Sequence, residues 1–344
     1  MSNYYTLSVD TLGSETKIED ILLGLNQSLE RNLNIRFILF GNSIDLKNKI
    51  RKYKALSKAS EIVDCQDVVT MSDSPSEIIK IKQNSTMARA ISSISENSAN
   101  AVLSFGNTGA LMSFSLLGLR TMKEIRRPAI ASIWPNLKGD SIILDLGANT
   151  KLDSRFLIDN ALLGASLASV LFKINSPSVG LLNVGTEKNK GNEEIKIASE
   201  KLSQLSNDNI LNYHGYIEGN DISLGKTNVV VTDGFTGNIA LKTAEGTAKL
   251  FQSHLNNAFR SSFISRIGYF FSSIALTSVR ERLDPRVHNC GILMGLNGLV
   301  VKCHGQSEYK GVSYAADIIY SLLSNNVHEK IEEYIRKIHL KLKD

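Results

Sequence analysis

Short apolar runs rich in β-branched residues recur along the chain, and each ends in a small polar loop. Residues 36–40 run into Gly41-Asn42, residues 101–104 into Gly106-Asn107, and residues 141–146 into Gly147-Ala148-Asn149. Residues 178–183 lead to Gly185, residues 228–232 to Asp233-Gly234, and residues 299–303 to His304-Gly305. Continuous apolar runs of this length predict strands buried on both faces. Helical spacing appears between them, in Met87, Ala90, Ile91 and Ile94, and again in Ile331, Tyr334, Ile335, Ile338 and Leu342. Strands alternating with helices predict an α/β fold, an open and largely parallel sheet covered on both sides. Ligands bind such sheets outside the carboxyl ends of the strands, where these polar loops would gather.

One segment departs from the pattern, from about residue 246 to 290. Phe259, Phe263, Ile267, Phe270, Phe271 and Ile274 recur there at helical spacing, with Arg260, Arg266, Arg280, Arg282 and Arg286 among or beside them. Two readings fit. One is a helix pair packed in the core or a dimer interface; the other is a basic amphipathic helix resting on an anionic membrane surface. The pattern alone favours the packed one. No repeat or linker divides residues 1–344, which read as a single α/β domain carrying this helical insertion.

Composition narrows the function classes. With 42% hydrophobic and 21% charged residues the chain is that of an ordinary globular protein. A net charge of +5 is mild for a nucleic-acid binder, and suits an anionic small molecule, an acidic protein or a membrane face. Cys65, Cys290 and Cys303 share no short spacing, so neither a disulfide framework nor a zinc site is expected, and free thiols in a reducing cytosol are. The first ten residues hold no basic, apolar leader pattern, and no run approaches the roughly 18 apolar residues of a spanning helix.

Several strand-to-helix loops could carry chemistry. In SFGNTGA, Gly106 and Gly109 would let backbone approach a ligand, the first amides of the following helix favour an anion, and Asn107 and Thr108 add donors. An ordinary helix cap explains the same loop equally well. DGFTGN has the same design around Asp233 and Gly237; its Asn238 could donate to a developing oxyanion, with Lys242 one turn on. In NVGTEKNKGNE, Lys190 could set its ammonium over bound phosphate, although a solvated charged loop is the plain alternative. Ser85 and Thr86, with Lys80 and Lys82 upstream, offer hydroxyls and cations, and His304 ends a strand beside Gly305. Asp145 and Asp233 could orient cationic partners. No GxSxG, HExxH or Ser-His-Asp order supports hydrolase chemistry.

Taken together, in order and across nearly the whole chain, these loops resemble the PlsX family of phosphate acyltransferases. The marks are SFGNTGALM at 104–112, ILDLGAN at 143–149, LLNVG at 181–185 with KGNE at 190–193, IEGNDI at 217–222, DGFTGNIALK at 233–242 and GLNGLVVKCHG at 295–305. The N-terminal loop departs: where the family reads D-x-M-G-G-D, this chain has Asp10-Thr11-Leu12-Gly13-Ser14-Glu15. Thr150-Lys151 follows LDLGAN in place of the family's Val-Asp.

The resemblance implies a three-layer α/β/α sandwich similar to phosphotransacetylases and isocitrate-dehydrogenase-like enzymes. It implies a homodimer without metal or nucleotide cofactor, moving a fatty acyl group from acyl carrier protein to inorganic phosphate. Lys190 and Asn238 are then the expected catalytic pair. Ser85, the loop 106–109, Asn149, Asn183, Asp233, Gly237 and His304 form the expected phosphate or phosphopantetheine site. The 246–290 segment becomes a protruding helix pair for dimerisation, carrier docking and membrane contact, with Arg260, Arg266, Phe270, Phe271, Arg280 and Arg282 as its contacts. The expected location is the cytoplasm, peripherally on the inner membrane face. A coenzyme A-dependent phosphotransacetylase is the close rival, an oxidoreductase of the isocitrate-dehydrogenase-like fold the distant one, and a non-catalytic scaffold at the membrane a third. An oxidoreductase lacks both a G-x-G-x-x-G after a strand and a metal-binding set of aspartates.

Overall fold

The computed structural model describes residues 4–74, 78, 81–282 and 290–341. Among them, eleven strands form one sheet: β1 (Tyr5–Asp10), β2 (Ile35–Gly41), β3 (Ser60–Asp64), β4 (Ala101–Ser104), β5 (Ala129–Asn136), β6 (Gly139–Leu144), β7 (Ser178–Leu182), β8 (Asn212–Ile217), β9 (Val229–Val231), β10 (Cys290–Met294) and β11 (Leu299–Cys303). Their order is β3-β2-β1-β4-β11-β10-β5-β6-β9-β7-β8.

The six apolar runs of the sequence are all strands, because residues such as those of β4 and β9 are buried on both faces. Two apolar clusters cover the sheet, one per face. On one, Leu7, Val9, Leu103 and Val301 meet the helices Ile18–Arg31, Ser154–Phe172 and Tyr309–Ser324. On the other, Val102, Ile143, Val230 and Val300 meet Thr86–Ser95 and Thr108–Leu119. The fold is a three-layer α/β/α sandwich.

The direction of the strands corrects one expectation. β3, β2, β1, β4 and β11 run one way and β6, β9, β7 and β8 the other, with β10 and β5 antiparallel to their neighbours between them. The GNTG loop after β4 and the DGFTGN loop after β9 therefore do not sit at neighbouring strand ends. They belong to two parallel half-sheets of opposite sense, with four strands between them.

One other expectation changes, and the expected free thiols are found in an unexpected arrangement. Ser154–Phe172 is a helix long and apolar enough by composition to cross a bilayer, but most of it is buried in the core. Cys290 and Cys303, distant in spacing, lie directly opposite on β10 and β11 as free, buried thiols whose sulfurs are 3.0 Å apart.

The helices Gly234–Arg260 and Phe263–Arg282 form an arm. In the first, 27 residues long, only Gly234 and Gly237 are buried, so the arm's helix starts within the DGFTGN loop itself. Its aromatic stripe is not core: Phe270 and Phe271 are 74% and 79% exposed. Arg260 and Arg266 are exposed as well. The side chains of Arg280 and Arg282, like Arg286 and Lys80 as a whole, lie outside the described residues.

Candidate active site

A cavity of about 410 Å³ opens where the two half-sheets meet. Its wall takes Thr108 from one half and Asn238 from the other, with Ile130, Ser132 and Gly291 of the central strands between them. Lys242, Glu245, Lys302 and His304 complete its polar lining, with Glu15 and Gln306 at its edge. Loops far apart in strand order thus meet over the central strands β5 and β10.

The second half-sheet contributes a rigid wall. Asp145, just past β6, accepts from the amides of Ile130 (3.1 Å), Gly147 (3.1 Å), Ala148 (2.9 Å) and Asn149 (2.8 Å), and from the Asn149 side chain (3.0 Å). It is fully occupied in holding the GAN turn and has nothing left for a cationic partner. Asn149 also donates to Pro128 O at 2.8 Å and accepts from Gly234 N at 2.8 Å, which ties this turn to the DGFTGN loop. The glycines there serve backbone packing. A Cβ on Gly237 would lie 2.0 Å from the carbonyl oxygen of Asp145, and one on Gly234 2.7 Å from that of Asn149.

Several expected ligand residues are helix caps. Asp233 accepts from Phe235 N and Thr236 N, both at 3.0 Å, and from the Thr236 hydroxyl at 2.6 Å. An occupied carboxylate of this kind positions the helix and offers no donor to phosphate. Asn107 caps Thr108–Leu119 through Ala110 N (3.1 Å), while its amide donates to Met71 O (3.0 Å) and Asp73 O (3.2 Å). Ser85 is buried and caps Thr86–Ser95 through Ala88 N. Gly106 is held where a Cβ would meet Met87. Lys82 is bound to Asp73 at 2.5 Å and to Val68 O at 2.8 Å. Thr108, Asn238 and His304 remain as expected site residues that line the cavity, and Gly109 lies in the first turn beside Thr108.

Lys190 and Asn238 are not brought to the same cavity. Asn183, Gly191, Asp233 and Thr236 line a second one of about 390 Å³, across the first turn of Gly234–Arg260 from Asn238. Asn183 donates to Lys190 O at 3.2 Å and its buried Oδ1 has no partner among the described residues. Lys190 itself is exposed on the loop beside this second cavity.

The opposite wall holds the residue that sequence reasoning missed. Asp10, Ser104 and Lys302 are lateral neighbours on β1, β4 and β11, so their side chains stand in a row on one face. Ser104 donates to Asp10 Oδ2 at 2.7 Å, while Asp10 Oδ1 is buried without a partner among the described residues. The Lys302 ammonium donates to Phe105 O at 3.3 Å and to Cys303 O. Burial lowers its pKa from 10.5 to about 8, although the thiols of Cys303 and Cys290 and the carboxyl of Asp10 favour the charged form. Burial in turn raises the Asp10 carboxyl. The legible signal was a lysine inside a strand buried on both faces, at an alternation position shared with the core valine Val300.

His304 accepts from Gln306 N through Nδ1 at 3.2 Å, so its neutral ring carries the proton on Nε2. Burial, then the charges of Lys242 and Lys302, lower its pKa. The divergent N-terminal loop borders the same cavity: Gln306 donates to Glu15 at 2.7 Å, and Thr16 donates to Gly305 O at 3.1 Å.

The sequence profile described as "Fatty acid synthesis protein" matches residues 5–330. The chain belongs to this family. Among the family's curated members, phosphate acyltransferase of Sinorhizobium fredii is 43% identical over 334 residues, covering 97% of this chain and 96% of the relative. That of Brucella anthropi is 43% identical over 334 residues, covering 97% and 95%. Among solved structures, a phosphotransacetylase from Streptococcus pyogenes aligns with TM-score 0.61 at 15% identity, over 96% of this chain and 94% of its own. A branched-chain phosphotransacylase from Enterococcus faecalis aligns with TM-score 0.57 at 14% identity, over 94% and 99%. At such identities the likeness is one of fold, and it is the fold this family was expected to have.

Proposed function

We propose that this chain transfers a long-chain acyl group from acyl carrier protein to inorganic phosphate, giving acyl phosphate for phospholipid synthesis. The observation that carries the reading is identity of 42–43% with phosphate acyltransferases over 97% of the chain. The cavity supports it, with donors and cations facing one another from two half-sheets. Phosphate already carries nucleophilic oxygens near neutral pH, so the chemistry needs no cofactor. The protein has to hold phosphate against the thioester carbonyl, stabilise the oxyanion and ease departure of the thiolate.

In this reading Asn238 is the oxyanion donor. Thr108 and Gly109 approach phosphate from the opposite wall, and Lys190 acts from the neighbouring loop as an electrostatic partner of phosphate or of the phosphopantetheine arm. The acidic carrier docks on the basic arm, where Arg260 and Arg266 flank a groove with Phe259 and Tyr269. The exposed Phe263, Ile264, Phe270 and Phe271 fit peripheral contact with the inner membrane face or a second copy in a homodimer.

The test is acyl phosphate formation from long-chain acyl carrier protein, against acyl-coenzyme A as the alternative donor. Carrier-dependent turnover is expected, with kcat falling roughly a hundredfold in Asn238→Ala and the KM for phosphate rising in Lys190→Ala. Turnover with coenzyme A alone points instead to a phosphotransacetylase, and none with either donor in a folded protein to a scaffold. Sedimentation velocity and co-sedimentation with anionic vesicles test the dimer and the membrane contact.

A further inference from the structure

We propose that Lys302 is a catalytic residue of this reaction, the general acid that hands a proton to the carrier's sulfur as the carbon–sulfur bond breaks. The inference rests on the acyl-transfer reading above and deepens it.

Four observations point to it. Lys302 is a buried cation that lines the cavity, on the wall facing Asn238. Two of its three N–H donors are taken by the carbonyls of Phe105 and Cys303, which fixes the ammonium and leaves one donor. Its lateral neighbour on β10 is Gly291, which also lines the cavity and puts no side chain over it. Beyond Ser104 on the other side stands Asp10, a buried carboxylate that favours the charged lysine. An alkyl thiolate is a poor leaving group until it is protonated, and a buried lysine titrating near the thiol range is matched to that transfer.

The step balances. An oxygen of hydrogen phosphate bonds to the thioester carbon, and the carbonyl pair moves to its oxygen beside Asn238. As that pair returns, the C–S bond breaks, its electrons stay on sulfur, and sulfur takes a proton from Lys302. The neutral amine then recovers a proton from the acyl phosphate just formed. Hydrogen phosphate and thioester become acyl phosphate and thiol, with nothing oxidised or reduced.

The titratable groups around Lys302 are Asp10 on β1, Cys290 on β10, Cys303 beside it, Lys242 and Glu245 on Gly234–Arg260, and Glu15 and His304 on the cavity loops. Of these, Asp10 acts as a positioning residue.

The experiment compares two donors, the alkyl thioester of acyl carrier protein and an aryl thioester whose thiolate leaves unprotonated. With the carrier, Lys302→Met is expected to lower kcat roughly a hundredfold or more with the KM for phosphate unchanged. Lys302→Arg, which keeps the charge but releases no proton, should fall similarly. With the aryl donor both variants should stay within about tenfold of wild type. Wild-type kcat should decline above about pH 8 with the carrier donor only, and Asp10→Asn should move that limb to lower pH.

Equal losses with both donors, or a loss confined to the KM for phosphate, would overturn the proposal. If Lys302→Met fails to fold, the wild-type pH profiles decide: an alkaline limb of the same size with both donors overturns it too. If wild type makes no acyl phosphate from any donor, it is the acyl-transfer reading that has failed.

Discussion

The two walls of the cavity use buried carboxylates in opposite ways. Asp145, on the wall built from β6 and β9, is met by five N–H contacts and locks a turn. Asp10, on the wall built from β1, β4 and β11, keeps one oxygen without a partner among the described residues and faces Lys302 along a lateral row. Both are buried ionisable groups at the carboxyl ends of core strands. One wall has spent its polar groups on rigidity, whereas the other holds a buried carboxylate and a buried lysine on either side of Ser104, with no ion pair between them among the described residues. A buried polar group kept short of partners, where full satisfaction was available a few strands away, marks chemistry better than polarity alone does.

Substitution should separate the walls most strongly at the two aspartates. Asp145→Ala leaves several amides without an acceptor and should cost about 3 kcal/mol or more in urea unfolding. Asp10→Asn removes an under-partnered charge and should stay within about 1 kcal/mol of wild type. Comparable losses would erase the distinction.

The next effect tests the glycines of the rigid wall. Gly237→Ala drives a methyl into the Asp145 carbonyl and should destabilise by roughly 2 kcal/mol. Gly246→Ala on the same helix meets nothing within 4 Å and should stabilise by up to about 1 kcal/mol through helix propensity. Equal effects would show that close approach is not what requires glycine at 237.

pH sharpens the wall that holds Lys302. With the Lys302 pKa at about 8 instead of 10.5, the unfolded chain binds more protons than the native one in that interval. Stability should therefore rise as pH climbs from about 8. Near pH 10 the slope should turn down, because Tyr213 and Tyr314 hold their protons up to about 12 while unfolded tyrosines lose theirs. Thermal melts of wild type against Lys302→Met between pH 7.5 and 10 check this, and the rise should vanish in the variant.

The smallest stability effect lies outside both walls. Replacing Phe270 and Phe271 by serine should change stability by less than about 0.5 kcal/mol, since both are largely exposed. The same change should weaken co-sedimentation with anionic vesicles if the arm meets a membrane.

Local patterning determined a good deal by itself. The predicted runs at 101–104 and 299–303 coincide with β4 and β11, because nearly all of their residues are buried and a strand in mid-sheet covers both of their faces. The loops after the strands were also legible, since Ser85, Asn107 and Asp233 each accept from an amide two or three residues on. Their use as caps was one of two readings that sequence left open, and the structure takes it. β5 and β10 gave no such signal. β5 ends in Trp134-Pro135-Asn136, and β10 carries Gly291 within a run of only five residues.

What only the tertiary structure decided is which loops meet. Strand direction through β10 and β5 sets the two half-sheets against each other, and no local preference specifies that reversal. It puts Asn238 opposite Lys302 and leaves Lys190 beside another cavity, while parallel pairing within one half-sheet aligns Asp10, Ser104 and Lys302, which are far apart in sequence. Caps and periodicity reach only a few residues along the chain, whereas an active site is built from contacts between segments a hundred or more residues apart.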